Sequence, residues 1–261
     1  MPTDVLIVVP TLGQRPRFLE QTLASIRAQD VPADIVIVGP SNMDELQDLS
    51  STFGADLVAD PGSLPAAIEA GMQQVQEHHA FVTWLNDDDL LTTGSLEATR
   101  TALQARPSAV LAYGACQYID EHGTVLWTSR AGRWAQRLLA WGPDLVPQPG
   151  MLARHAAWRL VGGLDTQLRF AFDLDLLLRL RAVGGFVDVG SVVSQFRWHA
   201  SSLTVGDRTT SLNESEMVKR RYLSPRAHRW AWVWEKPVRA ATRVAAARVT
   251  RRAKSLSGST R

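Results

Sequence analysis

Asn86, Asp87, Asp88 and Asp89 stand together at the end of the apolar run Phe81-Val82-Thr83-Trp84-Leu85. Three adjacent carboxylates raise one another's pKa, so such a cluster is tolerated chiefly where solvent, basic side chains or a divalent cation offset the charge. A hard cation such as Mg2+ or Mn2+ takes oxygen ligands from one or two carboxylates and fills its other positions with water and substrate phosphate. The alternative is an acidic turn capping a helix that starts near Gly94 or Ser95, for which Asp is an ordinary choice. A separate carboxylate, Asp173, opens the stretch Phe172-Asp173-Leu174-Asp175-Leu176-Leu177-Leu178-Arg179-Leu180. Leu174, Leu177, Leu178 and Arg181 recur with helical period, which puts Asp173 at the N-terminal end of a helix whose body lies in the core. There it can cap the helix or act as a base, and the helix N-terminus is expected to lower its pKa. Asp175 points about 200° away around the axis and cannot serve the same small site. A lone histidine in a loop, His199 in Phe196-Arg197-Trp198-His199, is a structural residue unless other polar groups converge on it. His78 and His79, at the end of a predicted helix, are read as surface residues.

The elements that must position these groups follow an alternating pattern. Val5 to Val9 is an aliphatic run ending at Pro10-Thr11-Leu12-Gly13, the pattern of a buried parallel strand that delivers a loop. Arg17 to Gln29 is predicted helical, with Leu19, Leu23 and Ile26 on one face. A strand over Asp34 to Val38, a helix from Met43 to Phe53, a strand near Asp56 to Ala59, a helix from Leu64 to about His79 and the strand Phe81 to Leu85 continue the series. Strand and helix alternating at this spacing predict βαβ units, right-handed crossovers and a mainly parallel sheet. Ligands of such sheets bind outside the carboxyl ends of the strands, so the loops at 10–15, 39–42 and 86–89 are expected to share one crevice. Further on, a helix over Ser95 to Ala105, a strand over Ala109 to Tyr118, a hairpin pairing Gln117 to Ile119 with Thr124 to Trp127, and a strand over Phe186 to Val193 are predicted. The stretch from Arg130 to Pro149, with Trp134 and Trp141, reads as a loop-rich wall in which aromatic burial is the main role.

A chain of 261 residues, 45% hydrophobic and 21% charged, is long enough to bury a large α/β core. It has no apolar run of the roughly 18 to 20 residues that a membrane span needs. The opening Met-Pro-Thr-Asp shows no signal-type segment, and the single Cys116 excludes an internal disulfide; both predict a cytoplasmic location. The net charge of +2 conceals an asymmetry: Arg226 to Arg261 holds ten Lys or Arg against one acid, +9, which leaves −7 for the other 225 residues. That tail mixes Trp230, Trp232 and Trp234 with basic residues and places Val238, Ala241, Ala245 and Val249 on one helical face. The pattern suits a helix on an anionic membrane surface, weakly held, or a solvated basic tail. Nucleic acid is not an expected partner, since the body offers no basic face. The expected division is a body over 1–225, with a nucleotide-binding half to about 115 and an acceptor-side half beyond, followed by the tail. Phosphate-loop, dinucleotide, serine-hydrolase and zincin motifs are all absent.

An ordered series of stretches resembles the family 2 glycosyltransferases, which use nucleotide sugars on a GT-A fold. It comprises Val8-Val9-Pro10-Thr11-Leu12-Gly13 with Leu23 to Gln29, Trp84 to Leu91, Tyr113-Gly114 with Tyr118-Ile119-Asp120, Gln148-Pro149, Val161 to Asp165, Phe172 to Leu180 and Phe196 to His199, over roughly residues 4 to 205. The resemblance implies an α/β fold with a mixed, mainly parallel sheet flanked by helices and followed by the basic helical tail. It also implies that the acidic run is the family's DxD-type motif: Asp88 at the nucleotide ribose or base, Asp89 on the divalent cation, Mg2+ or Mn2+, and Asp87 an alternative ligand. Pro10, Thr11 and Arg15 fall in the loop that meets the nucleotide, Asp173 matches the general base of inverting members, and His199 a position near the metal or diphosphate. Two places depart from the pattern. Gly39-Pro40-Ser41-Asn42 replaces an Asp-Asp-Gly-Ser-type sequence, leaving Ser41 as the residue able to bond the base, and Phe172 replaces a Glu. The implied reaction moves a glycosyl unit from a nucleoside diphosphate to a glycan or lipid-linked hydroxyl, with a cation stabilising the departing charge and a base taking the hydroxyl proton. The basic tail adds the expectation of a lipid-linked or envelope acceptor, in glycolipid or polysaccharide synthesis, at the inner face of the plasma membrane. The competing readings are a sugar nucleotidyltransferase, for which the loop from Pro10 to Arg15 has too few Gly and basic residues, and a non-enzymatic membrane-surface protein whose tail is the working part.

Overall fold

Val5–Pro10 (β1) is buried along its whole length because it lies in mid-sheet, between β2 (Asp34–Gly39) and β4 (Phe81–Trp84), parallel to both. The computed structural model describes residues 3–129, 146–198 and 208–223, with isolated positions elsewhere. β3 (Asp56–Ala59) pairs parallel on the outer side of β2. On the other side of β4 the pairing changes sense. β8 (Leu152–Arg154) runs antiparallel between β4 and β6 (Ala109–Ile119), and β6 pairs parallel with the long β9 (Gly185–Arg197). β5 (Leu90–Leu91) closes the series antiparallel to β9, and β7 (Val125–Ser129) hangs on β6 as the predicted hairpin. The order is β3-β2-β1-β4-β8-β6-β9-β5. β1, β2, β4, β6 and β9 all point one way, so their C-terminal ends share an edge.

Period-2 alternation divides the core into two layers. Leu6, Val8, Val82 and Trp84 face α3 (Leu64–Met72), α5 (His155–Val161) and α6 (Phe172–Val183). Val5, Ile7, Val9, Ile35 and Ile37 face α1 (Pro16–Arg27), α2 (Asp44–Phe53) and α4 (Ser95–Ala105) through Leu19, Leu23, Leu46 and Leu103. A further helix, α7 (Arg208–Tyr222), lies against α6. Gly71 lets α3 settle directly on β1, since a Cβ there would collide with both methyls of Val8.

Four elements differ from expectation. α3 stops at Met72, seven residues short of His79, because the chain must turn back to start β4, where the N–H groups of Ala80 and Phe81 bond the Asp4 carbonyl. His79 is consequently 3% exposed, not on the surface. The two- and three-residue strands β5 and β8 are too short to show periodicity, and α7 is polar enough to escape notice. The Trp-containing wall at 130–145, the tail and His199 lie outside the described residues, apart from single positions. Among the described residues no helix is long and apolar enough to cross a membrane.

Candidate active site

β1 and β4 are neighbours in register, Val8 opposite Trp84, so the loops that leave them meet. The β1 loop brings Thr11 and Arg15 to the acidic run. Thr11 Oγ1 donates to Asp87 Oδ2 at 2.6 Å and itself accepts the Gly13 N–H at 3.0 Å. Arg15 straddles two carboxylates, with one guanidinium nitrogen 2.9 Å from Asp87 Oδ1 and the other 2.6 Å from Asp88 Oδ2. Pro10 is the buried last residue of β1, and Ser41 lies on an exposed turn at the end of β2. Four of the expected residues, Thr11, Arg15, Asp87 and Asp88, are thus joined directly.

Asp89 behaves differently from its neighbours. Its exposure is 0%, one carboxylate oxygen accepts the Arg197 N–H at 3.1 Å, and the other accepts from Asn86 Nδ2 at 3.0 Å. Its backbone carbonyl accepts from Thr22 Oγ1 of α1. Burial and then the charge of Asp88 raise its pKa well above the ordinary carboxylate range. The expected cation-gripping residue is therefore the most deeply buried of the three. Asn86 contributes an unusual group, a buried Oδ1 with no hydrogen-bond partner among the described residues.

Arg197, in the sequence one residue of the Phe196-Arg197-Trp198-His199 stretch, organises the loop. At 2% exposure its Nε donates to the Asp88 carbonyl at 3.0 Å. One terminal nitrogen donates to Gln21 Oε1 at 2.8 Å and the other to the Glu121 carbonyl at 3.2 Å. The guanidinium lies 4.3 Å from the Phe18 ring centroid. It therefore ties the acidic loop to α1 and to the β6–β7 turn. The residue is the last of β9, and alternation along that strand cannot distinguish a buried arginine from a solvated one.

Asp173 is the second residue of α6. Phe172 packs its ring 6.3 Å from Trp84, two residues before Asn86, so the start of α6 lies beside the end of β4. Gln148 Nε2 donates to the Trp84 carbonyl at 2.9 Å, adding the Gln148-Pro149 pair to the same wall. The Asp173 carboxylate accepts the Leu174 N–H at 2.7 Å. Its pKa is pushed up to about 6, chiefly by desolvation and further by Glu214. The helix N-terminus was expected to lower it; removal from water outweighs that effect here.

A tight grouping of nominal metal-ligand atoms among the described residues is found elsewhere. Asp34, His78 and His79 have ligand atoms within 4.8 Å of one another, at the opposite, N-terminal edge of the sheet. The hydrogen bonds there argue against a cation. His79 Nδ1 accepts the Gln76 N–H at 2.9 Å, so the ring proton sits on Nε2 and is donated to Asp34 Oδ2, also at 2.9 Å. A ligating histidine has the reverse arrangement, with its lone pair on the metal and its other N–H donated outward.

No family model matches this chain, and no curated protein sequence matches it. Solved structures do. A mannosyltransferase of Pyrobaculum calidifontis, PcManGT, in complex with GDP-Man and Mn2+ is 17% identical over 95% of this chain and 76% of its own, with a TM-score of 0.65. TarS of S. aureus, as residues 1-349 in complex with UDP, is 12% identical over 85% of this chain and 67% of its own, with a TM-score of 0.61. The longer TarS structure matches at a TM-score of 0.59, and this chain spans only 42% of it. At such identities the likeness speaks for architecture alone: this chain has the GT-A-like fold of glycosyltransferases, a curled, mostly parallel sheet flanked by helices.

Proposed function

We propose that this chain is a metal-dependent, inverting glycosyltransferase that moves a sugar from a nucleoside-diphosphate sugar to an acceptor hydroxyl. The observation that carries the reading is the meeting of Thr11, Arg15, Asp87 and Asp88 at the carboxyl edge, with the start of α6 packed against Trp84 beside them. The neighbours in complex with UDP and with GDP-Man and Mn2+ support a nucleotide-sugar donor and a divalent cation.

The residues present suit a hard cation. Two carboxylates that share a single guanidinium and a buried amide oxygen with no partner among the described residues make an all-oxygen set. Asp88 and Asp87 would hold the cation, because Asp89 is enclosed and burial raises its pKa well above the ordinary carboxylate range. When bound, such a cation stabilises the negative charge that develops on the departing diphosphate. Thr11 orients Asp87, and Arg15 supplies positive charge at the same place. Ser41 and Pro10 border the space for the nucleoside. Asp173 takes the acceptor proton; with a pKa of about 6 it is mostly ionised at neutral pH yet more basic than an ordinary aspartate. The basic, Trp-rich tail favours a lipid-linked or envelope acceptor at a cytoplasmic membrane surface.

Thermal unfolding with UDP, GDP and dTDP, each with and without Mn2+, tests the reading. One nucleotide should give a Mn2+-dependent rise in Tm that Asp88→Asn abolishes. No metal-dependent rise with any of them would overturn it.

A further inference from the structure

α7 is joined to the rest of the protein through polar contacts whose pattern is specific. The Glu214 carboxylate accepts three consecutive backbone N–H groups: Arg169 at 2.9 Å on one oxygen, and Phe170 and Ala171, the latter at 2.7 Å, on the other. Three successive amides converging on one anion form a concave nest, here at the start of α6 where the helix dipole adds to the attraction. Farther along the same pair of helices, Tyr222 donates to Asp175 Oδ1 at 2.7 Å, and Arg221 lies 3.1 Å from Asp165 Oδ2. The end of α6 that carries Asp173 is therefore fixed by a residue about forty positions later in the chain.

We propose that Glu214 is a positioning residue for Asp173: by filling the amide nest at residues 169–171 it sets the first turn of α6 and keeps Asp173 out of that nest. The inference rests on the reading of Asp173 as the base. An aspartate beside three unfilled N–H groups would turn toward them and become a weak base; a carboxylate accepting two or three backbone N–H bonds loses much of its proton affinity. With Glu214 in the nest, Asp173 accepts, among the described residues, from the Leu174 N–H and from its own backbone. Glu214 acts in the same direction through its charge, which raises the proton affinity of Asp173. Other charged groups nearby are engaged elsewhere. On α6, Asp175 pairs with Arg179 at 2.7 Å; before it, the Arg169 guanidinium stacks 5.1 Å from the Phe170 ring centroid; on α7, Arg221 pairs with Asp165 and lies 4.0 Å from Asp175. Tyr222 is occupied by Asp175.

Two substrate-free measurements on the full chain test this. The first follows the Asp173 carboxyl by 13C NMR against pH, identified by its absence in Asp173→Asn. In Glu214→Gln, which keeps an acceptor oxygen but not the charge, the midpoint should fall by about half a unit or more. The second is hydrogen exchange of the amides of residues 169–171. It should speed up by about tenfold or more in Glu214→Ala and far less in Glu214→Gln. An unchanged midpoint in Glu214→Gln, or protection of 169–171 that survives in Glu214→Ala, overturns the proposal. Neither result depends on turnover, so a failure of Asp173 as the base would show separately, as Asp173→Asn that still transfers sugar.

Discussion

Replacing Arg197 by Met should loosen the acidic loop and destabilise the whole fold, and the contacts set the size. Methionine keeps most of the stem that covers Phe18 but removes every donor. The Asp88 carbonyl, at 3.0 Å, and the Gln21 amide oxygen, at 2.8 Å, lose good partners, and the Glu121 carbonyl loses one at 3.2 Å. A buried acceptor left without a donor, as the Asp88 carbonyl would be, costs about 1–3 kcal/mol, and the half-buried Gln21 and exposed Glu121 acceptors cost less because water reaches them. Loss of the cation–π contact with Phe18 adds about 0.5–1 kcal/mol. Against this stands the cost of burying the guanidinium, visible in the lowering of its pKa by desolvation, which the variant no longer bears. The net expectation is a loss of roughly 3–5 kcal/mol, a severe value for one substitution. In a chain of this size that corresponds to a fall in Tm of about 6–20 °C. Urea unfolding measures the first quantity and calorimetry the second. Because the lost bonds fix the Asp88 backbone, Mn2+-dependent protection by the nucleotide should weaken as well. Arg197→Lys should fall between, since one ammonium cannot reach acceptors on three elements. If Arg197→Met unfolds within about 1 kcal/mol of the parent and keeps full metal-dependent protection, the reasoning fails.

Asp89→Asn should retain Mn2+-dependent nucleotide protection where Asp88→Asn loses it, because the asparagine oxygen still accepts the Arg197 N–H; loss of protection in both would return the cation to Asp89. Asp173→Asn should bind nucleotide normally and transfer sugar about 10²–10⁴-fold more slowly, measured by product formation with the donor identified above. The pH dependence follows from a proton affinity that is raised on folding. Asp173 is ionised above about pH 6 and protonated below it, so turnover should rise with pH through about 6 and level off above it. An acid limb near the ordinary aspartate value would mean that desolvation does not govern the group.

What was legible in the sequence follows from the range over which each cause acts. β1, β2 and β4 announce themselves as mainly apolar runs because they are covered on both faces, and the ends of β1 and β4 bring their loops together. The roles within the acidic run were not legible. Asp87, Asp88 and Asp89 are the same residue in succession, and what separates them is tertiary: Arg15 from the β1 loop reaches the first two, while the Arg197 N–H and the Asn86 amide enclose the third. The same holds for His79, whose ring is held by Asp34 of β2, and for Asp173, whose proton affinity depends on desolvation and on Glu214 from a helix 25 residues past the end of α6. A charge on a local pattern carries a sign that only its distant neighbours determine. Arg197 is the strongest instance: in the sequence it is one basic residue among many, and in the fold its guanidinium joins the acidic loop, α1 and the β6–β7 turn.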